Sequence, residues 1–342
     1  MESISPTVSE WQALHAAADG FYQLRPWRWF NDNCTFGVEN PETHEVGYCS
    51  ILGALGDVLA LCVYLGDAGY DGLQHMIQST PTMPDIDDLT SWQYCLMASF
   101  ENREELNAED LAVIKTLGFK FRGKQRWPLF RLFEPGFPPW AVDGAQARFL
   151  TAALEQAAVI TQAFEDRPEK LLEQPGKVLV RVRQDMTRNE RWVDQWRPAP
   201  QAPEGPPVPV PDTAFLNKLA NQLTQGEGIL ESDFFYMPAA VHRVKGERPY
   251  VPRVNVWIES CSGFVLDVVM EDTEFYQQIQ DALIRQVQQL RQRPRIILVT
   301  KPKLAEILQP VTDLLHIGIA VMPYLPTAAE VRQGLTEFMK NK

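Results

Sequence analysis

Seven of the fourteen residues from Pro198 to Pro211 are proline, in the run PAPQAPEGPPVPVP. Proline fixes φ and lacks an amide donor, so such a run holds neither a helix nor a central strand and favours extended polyproline II. It reads as a semi-rigid spacer that divides the 342-residue chain into residues 9–197 and 212–342. A PxxP-type ligand for a partner domain is the lesser reading of the same residues. Each flanking part is long enough to bury its own core. With 45% hydrophobic and 22% charged residues, the chain is not a largely disordered one.

The expected fold class is α+β. Residues 9–197 read as an N-terminal antiparallel-sheet domain with helices. Trp11, Leu14, Ala18 and Phe21 step by three and four, which predicts an opening helix punctuated by Ser9 and by Asp19-Gly20. Strand-like runs follow at about 35–39, 46–52 and 58–65, joined by turns at Asn40–Thr43 and Gly53–Gly56. A short helix over 68–77 and a strand over 92–100 come next. Asn107 and Gly118 then bracket a helix as N-cap and C′ residue, and 145–164 is a longer, alanine-rich one. Residues 176–183 alternate apolar and basic side chains, as a strand with one wet face does.

The C-terminal part reads as a ββαβαβα mixed-sheet domain. Val254–Glu259 and Phe264–Met270 form a hairpin around Gly263. A helix from Thr273 to about Leu290 carries the stripe Phe275, Ile279, Leu283, Val287 and Leu290. Strands at 296–300 and 317–322 alternate with a helix opened by Pro302, which Pro310 is expected to kink or restart. A closing helix from Pro326 turns Val331, Leu335 and Phe338 inward.

The net charge of −12 disfavours a protein that coats nucleic acid or anionic membrane through bulk charge. The excess is local: residues 1–100 hold thirteen acids and two bases. Residues 120–131 and 177–197 are locally basic, which describes a polarised N-terminal domain. Met1–Trp27 lacks a basic segment followed by an apolar one, and the longest apolar run, Val58–Leu65, is far shorter than a membrane span. Cys34, Cys49, Cys62, Cys95 and Cys261 form no CxxC pair and mostly sit in apolar runs, as reduced thiols of a cytoplasmic protein do. A hairpin at Gly53–Gly56 would set Cys49 and Cys62 diagonally on one sheet face.

The sharpest constellation is FKFRGKQRWPLFRLFEPGFPPW, Phe119 to Trp140, where bases and rings interleave. Cations that meet phosphate beside flat rings are what single-stranded nucleic-acid sites use. The same alternation arises when rings face a core and bases face water. The candidate binding residues are Lys124, Arg126, Trp127, Phe130, Arg131, Phe137 and Trp140. Clustered aromatics held by Pro128, Pro135, Pro138 and Pro139 favour an unidentified protein partner over nucleic acid, and no membrane contact is expected. Among the acids, Glu259 and Asp272 are the candidate metal pair, since they end adjacent strands and two-metal hydrolysis needs converging carboxylates. Asp85, Asp87 and Asp88 lie in the turn-like run PDIDD and read as a solvated loop, because no glycine bends it around Ca²⁺. The five histidines form no HxH, HExxH or HxxxH pattern. GxGxxG, GxxxxGK[ST] and GxSxG are all missing, so no cofactor is called for.

Set side by side, these segments resemble an uncharacterised bacterial family with two paired domains of unknown function. The residues that carry the resemblance are Pro26-Trp27-x-Trp29, Phe36-Gly37-Val38, Gly47-Tyr48, Val63-Tyr64-Leu65-Gly66 and Lys115-x-x-Gly118. They continue with Phe121-Arg122-Gly123-Lys124, Trp127-Pro128-x-Phe130-Arg131, Pro135-Gly136-Phe137-x-Pro139-Trp140 and, in the second domain, Pro252, Gly263, Pro294 and Ile317–Val321. This resemblance implies no known activity. The second domain also resembles, more loosely, a ribonuclease H-like core, whose strand ends present acidic metal ligands. It shows two leading strands where that core has three, Thr300-Lys301 where an acid belongs, and only Glu259 near the place of the first-strand acid. The resemblance thus implies a degenerate core that has lost two-metal catalysis. The expected function is a non-catalytic binding or regulatory protein. The rival is a divergent ribonuclease H-like nuclease or nucleic-acid binder in which Glu259 and Asp272 converge on Mg²⁺ or Mn²⁺.

Overall fold

A computed structural model describes residues 5–79, 86–184, 191–202, 205–237, 239–242, 244, 247–271 and 274–340, the side chains of 338–340 excepted. The chain divides into two compact units, Met1–Pro203 and Glu204–Lys342.

In the first unit, α1 (Val8–Leu24) starts at Thr7, whose hydroxyl accepts the Glu10 amide while Glu10 Oε2 accepts the Thr7 amide at 2.7 Å. The helix runs past Asp19-Gly20, and Arg25 ends it in the left-handed region at φ 54°. Eight strands follow among the described residues: β1 (Phe36–Glu39), β2 (Val46–Leu52), β3 (Ala60–Leu65), β4 (Cys95–Glu101), β5 (Trp127–Phe133), β6 (Trp140–Ala141), β7 (Lys177–Gln184) and β8 (Arg191–Pro198). They form one sheet in the order β6-β5-β4-β3-β2-β1-β7-β8, antiparallel throughout except for the β1–β7 pair. Four further helices lie among the described residues of the unit: α2 (Gly66–Ser79), α3 (Ile86–Trp92), α4 (Ala108–Leu117) and α5 (Gly144–Ala163). The main core lies between the sheet and α1 with α5, around Leu14, Phe21, Phe36, Ile51, Leu150 and Leu154. The opposite face buries Tyr48, Cys62, Tyr64 and Cys95 under Leu73 of α2.

Three local expectations change here. Asp87 and Asp88 lie in the first turn of α3 and not in a loop, with Asp87 buried, while Asp85 lies outside the described residues. The 119–122 alternation forms no strand, and the strand of that region is β5, whose Pro128, Phe130 and Leu132 turn inward. Its outer neighbour β6 pairs only with Arg131 and Leu132, so Pro128 sits where that edge is open and its missing amide matters least. Cys49 and Cys62 occupy opposite sheet faces. The hairpin aligns Leu52 with Ala60, so Cys49 faces Val63 and Ser50 faces Cys62, and an odd offset always sends two side chains to opposite faces.

The second unit contains α6 (Thr213–Gln222), β9 (Thr224–Gln225), β10 (Ile229–Tyr236), β11 (Arg253–Glu259), β12 (Phe264–Met270) and α7 (Phe275–Leu290), followed by β13 (Gln292–Arg293), β14 (Ile296–Val299), α8 (Pro302–Leu315), β15 (Gly318–Val321) and α9 (Pro326–Lys340). Its main sheet has the order β12-β11-β10-β14-β15. There β11 is antiparallel to both neighbours, and β10, β14 and β15 are parallel. Three leading strands therefore precede the helix-linked pair, which supplies the strand that the ββαβαβα reading lacked and gives the complete ribonuclease H-like order. The missed strand is β10, because Glu231-Ser232-Asp233 interrupts its apolar pattern. Glu231 and Ser232 are buried and Asp233 is half-buried, and all three are hydrogen-bonded within the fold. One face of the sheet buries Leu230, Trp257, Ile279, Leu283, Ile307 and Val311 beneath helices, and the other buries Phe235, Val254, Val256 and Ile258 against Ala328 of α9 and Leu325 just before it. α8 continues as one helix through Pro310. Thr273, the expected cap of α7, lies outside the described residues.

Candidate functional site

The basic and aromatic run of residues 119–140 resolves into separate structural jobs. Phe130 is in the main core. The Arg131 guanidinium holds Asp110 of α4 with two bonds, Nη2 to Oδ2 at 2.6 Å and Nη1 to Oδ1 at 3.0 Å, the fork geometry that makes Arg–carboxylate pairs strong. Arg126 donates to Asp19 of α1 at 2.6 Å and lies over the Tyr22 ring at 4.0 Å. Trp127 is half-buried, edge-on to Phe121 at 6.0 Å. Phe137 is half-buried beside a groove of about 220 Å³ that Ile86, Leu89, Phe133 and Pro139 also line. Lys124 is exposed, and Trp140, 41% exposed, stands on the edge strand β6. The structure therefore leaves Lys124 and Trp140 exposed and Trp127 and Phe137 half-buried, and builds Arg126, Phe130 and Arg131 into the domain. Arg131→Ala is expected to lower stability by about 2 kcal/mol, because it strands a partly buried carboxylate. Lys124→Ala should stay within about 0.5 kcal/mol. Urea unfolding of the two variants checks this contrast.

A site that sequence reasoning passed over lies beneath this strand. His15 of α1 is only 2% exposed. Its ring stacks on Phe119 at 5.6 Å and meets Phe130 edge-on at 5.0 Å and Trp11 at 5.8 Å. Nδ1 lies 2.9 Å from the Trp11 carbonyl, which makes it the protonated nitrogen and leaves Nε2 as an acceptor. The ring borders a pocket of about 250 Å³ shared with Trp11, Asp110, Val113, Phe130 and Val142. The only sequence signal was position: His15 falls one turn after Trp11 on the buried face of α1. Burial pushes its pKa down, opposed by the Trp11 carbonyl and by the charge of Asp110. The unfolded chain therefore binds a proton first, and stability falls as pH drops through about 6.5. His15→Phe is expected to flatten the pH dependence of the unfolding free energy between pH 7 and 5 by up to one proton, measured by denaturant titrations across that range.

In the second unit the acids are tied to the fold. Glu231, on β10, accepts from Ser260 Oγ at 2.8 Å, Thr327 Oγ1 at 3.0 Å and the Ala328 amide at 3.2 Å. It thereby caps the start of α9. Asp233, also on β10, accepts from Thr300 Oγ1 at 2.7 Å, beyond the end of β14. Asp267 accepts from Arg285 at 2.9 Å, and Glu271 from Arg253 at 2.6 Å. Glu259 ends the second strand of the sheet, β11, so it does not stand in the place of a first-strand acid; Asp233 and Glu231 are the first-strand acids. Its carboxylate accepts from the Cys261 and Ser262 amides at 3.2 and 2.7 Å, closing its own hairpin. Hydrogen bonds from Ser262, and then Cys261, hold its pKa below the ordinary carboxylate value. Asp272, the other candidate ligand, lies outside the described residues. Two divalent cations need several carboxylates converging on one point, and no group of three His, Cys, Asp or Glu that could hold a metal ion occurs among the described residues. Among the described residues, these donors are not gathered into a two-metal centre. No helix of the described residues is long and apolar enough to cross a membrane.

Comparison with known proteins follows the same division. Residues 11–181 match a domain of unknown function, DUF7309, and residues 215–336 match another, DUF6930. No curated protein matches the chain. Among solved structures, a chain of the simian T-cell lymphotropic virus intasome in complex with PP2A regulatory subunit B56 gamma is 16% identical, with a TM-score of 0.26 over 34% of this chain and 43% of that one. The HTLV-2 integrase catalytic core domain in complex with magnesium is also 16% identical, with a TM-score of 0.25 over 35% of this chain and 75% of that one. The BIV integrase catalytic core is 16% identical, with a TM-score of 0.23 over 34% and 68%. The present chain thus spans less than half of the intasome chain it matches. The match over half of its length shows that the chain belongs to the DUF7309 family, with a DUF6930 domain following the first.

Proposed function

We propose that the chain is a non-catalytic binding or regulatory protein. The observation that carries this reading is the engagement of the C-terminal carboxylates: Glu231 with the start of α9, Glu259 with its hairpin and Asp233 with the Thr300 hydroxyl. A carboxylate held this way serves the fold, and moving it to a cation breaks bonds on which the strand ends depend. Phe137 and Trp140, in and beside the edge strand β6, are the apolar surface offered to a protein partner, and Lys124 lies apart from them before the start of β5. The rival reading, a divergent ribonuclease H-like nuclease, draws on Asp233 standing on the first strand of a sheet with that order. The test is an assay of the full chain with Mn²⁺ and with Mg²⁺ on single-stranded DNA, duplex DNA and an RNA–DNA hybrid, beside Asp233→Asn. The reading predicts no cleavage above that variant. Metal-dependent cleavage that Asp233→Asn abolishes overturns it.

A further inference from the structure

The His15 pocket has the features of a ligand site that the partner surface and the C-terminal carboxylates do not use. A buried imidazole in an aromatic cage satisfies both its nitrogens when it serves packing alone. Here Nδ1–H is committed to the Trp11 carbonyl, while Nε2 makes no hydrogen bond within the described residues and is not among the fully buried unpaired atoms, so it is open to the pocket that the ring lines. We propose that this pocket binds a small, flat, neutral aromatic molecule that donates one N–H to His15 Nε2.

Shape, polarity and charge each narrow the ligand. Trp11, Phe130, Val113 and Val142 supply an apolar wall with two rings for stacking or edge contacts. A cavity of about 150 Å³ lined by apolar side chains accommodates benzene, so about 250 Å³ suits a fused bicycle and is below the usual size of a drug-sized site. The neutral, Nδ1-protonated ring accepts a hydrogen bond and cannot attract an anion. The nearest carboxylate, Asp110, is taken by Arg131, and Glu109 adds negative charge at the rim. An acidic ligand meets repulsion there, and the Asp110 carboxylate that a cation would seek is already paired with Arg131. A neutral N–H donor completes the one open bond. The inference goes beyond the function proposed above and concerns the N-terminal unit alone, so it stands or falls separately from the nuclease assay.

The probes are indole and 1-methylindole, which have the same ring system and differ in the N–H. Isothermal titration of the full chain at neutral pH is expected to show saturable binding of indole at least tenfold tighter than 1-methylindole, since the methylated probe leaves Nε2 buried and unpaired. In His15→Phe the two probes should bind equally. The wild-type comparison decides the matter even if that variant fails to fold. Lack of saturable indole binding, equal affinities in the wild type, or discrimination that persists in folded His15→Phe would each overturn the proposal.

Discussion

Glu231→Ala should lower the stability of the C-terminal unit by about 3–4 kcal/mol, a large loss for one surface-distant side chain. Glu231 is 3% exposed. Truncation leaves three donors without an acceptor: the Ser260 and Thr327 hydroxyls and the Ala328 amide. A hydrogen bond to a charged group is worth about 1.5–3 kcal/mol, and a helix N-terminus adds attraction for a negative charge. Water reaching the vacated space recovers part of the sum. The helix that loses its cap, α9, covers the face containing Val254, Val256 and Ile258, so loosening it exposes core. Glu231→Gln keeps the shape and one carbonyl acceptor, and should lose about half as much. Urea unfolding with hydrogen exchange of the α9 amides measures both variants. A loss under about 1 kcal/mol for Glu231→Ala would show that α9 is held by its apolar face alone.

Gly72→Ala should destabilise the N-terminal unit by about 3 kcal/mol, against the sign that helix propensity gives. Replacing glycine in a helix interior normally gains about 0.5–1 kcal/mol. Gly72 lies in α2, however, and a Cβ there would stand 2.0 Å from the Trp92 carbonyl oxygen and 3.0 Å from its carbon. These are backbone atoms of α3, which no rotamer change can move aside, so α2 and α3 must part. Gly69 has the same character, with a Cβ 2.7 Å from the Tyr64 carbonyl carbon and 2.9 Å from the Tyr94 oxygen. Thermal melting of Gly72→Ala decides between the two effects, since a raised Tm would mean that propensity outweighs close approach.

These cases mark how far the amino-acid sequence could be read. Helices with strong caps were legible: Asn107 and Gly118 bracket α4 as their chemistry requires, and α5 starts one residue before the alanine-rich run, behind Asp143. Strands with clean patterns, β2 and β3, were legible too. β10 was not, because its middle carries Glu231, Ser232 and Asp233, whose partners lie up to 97 residues away in Ala328. Periodicity registers polarity but not the distant donor that makes a polar side chain a core residue. The same blindness affected the candidate site. Arg126 and Arg131 looked like free cations because Asp19 and Asp110 lie 107 and 21 residues before them. His15 looked like an isolated histidine because its cage comes from Phe119 and Phe130 as well as from its own helix. The charge asymmetry has a matching outcome, since Asp19 and Glu39 of the acidic stretch pair with Arg126 and Arg197 of the two basic runs.

The central claim is that the C-terminal carboxylates serve the fold and do not hold catalytic metal. Mn²⁺ titration of the full chain, followed by electron paramagnetic resonance of the free ion, tests it most directly. The account predicts only weak, millimolar binding that Asp233→Asn leaves unchanged. Two Mn²⁺ bound per chain at micromolar concentration, lost in Asp233→Asn, would contradict it.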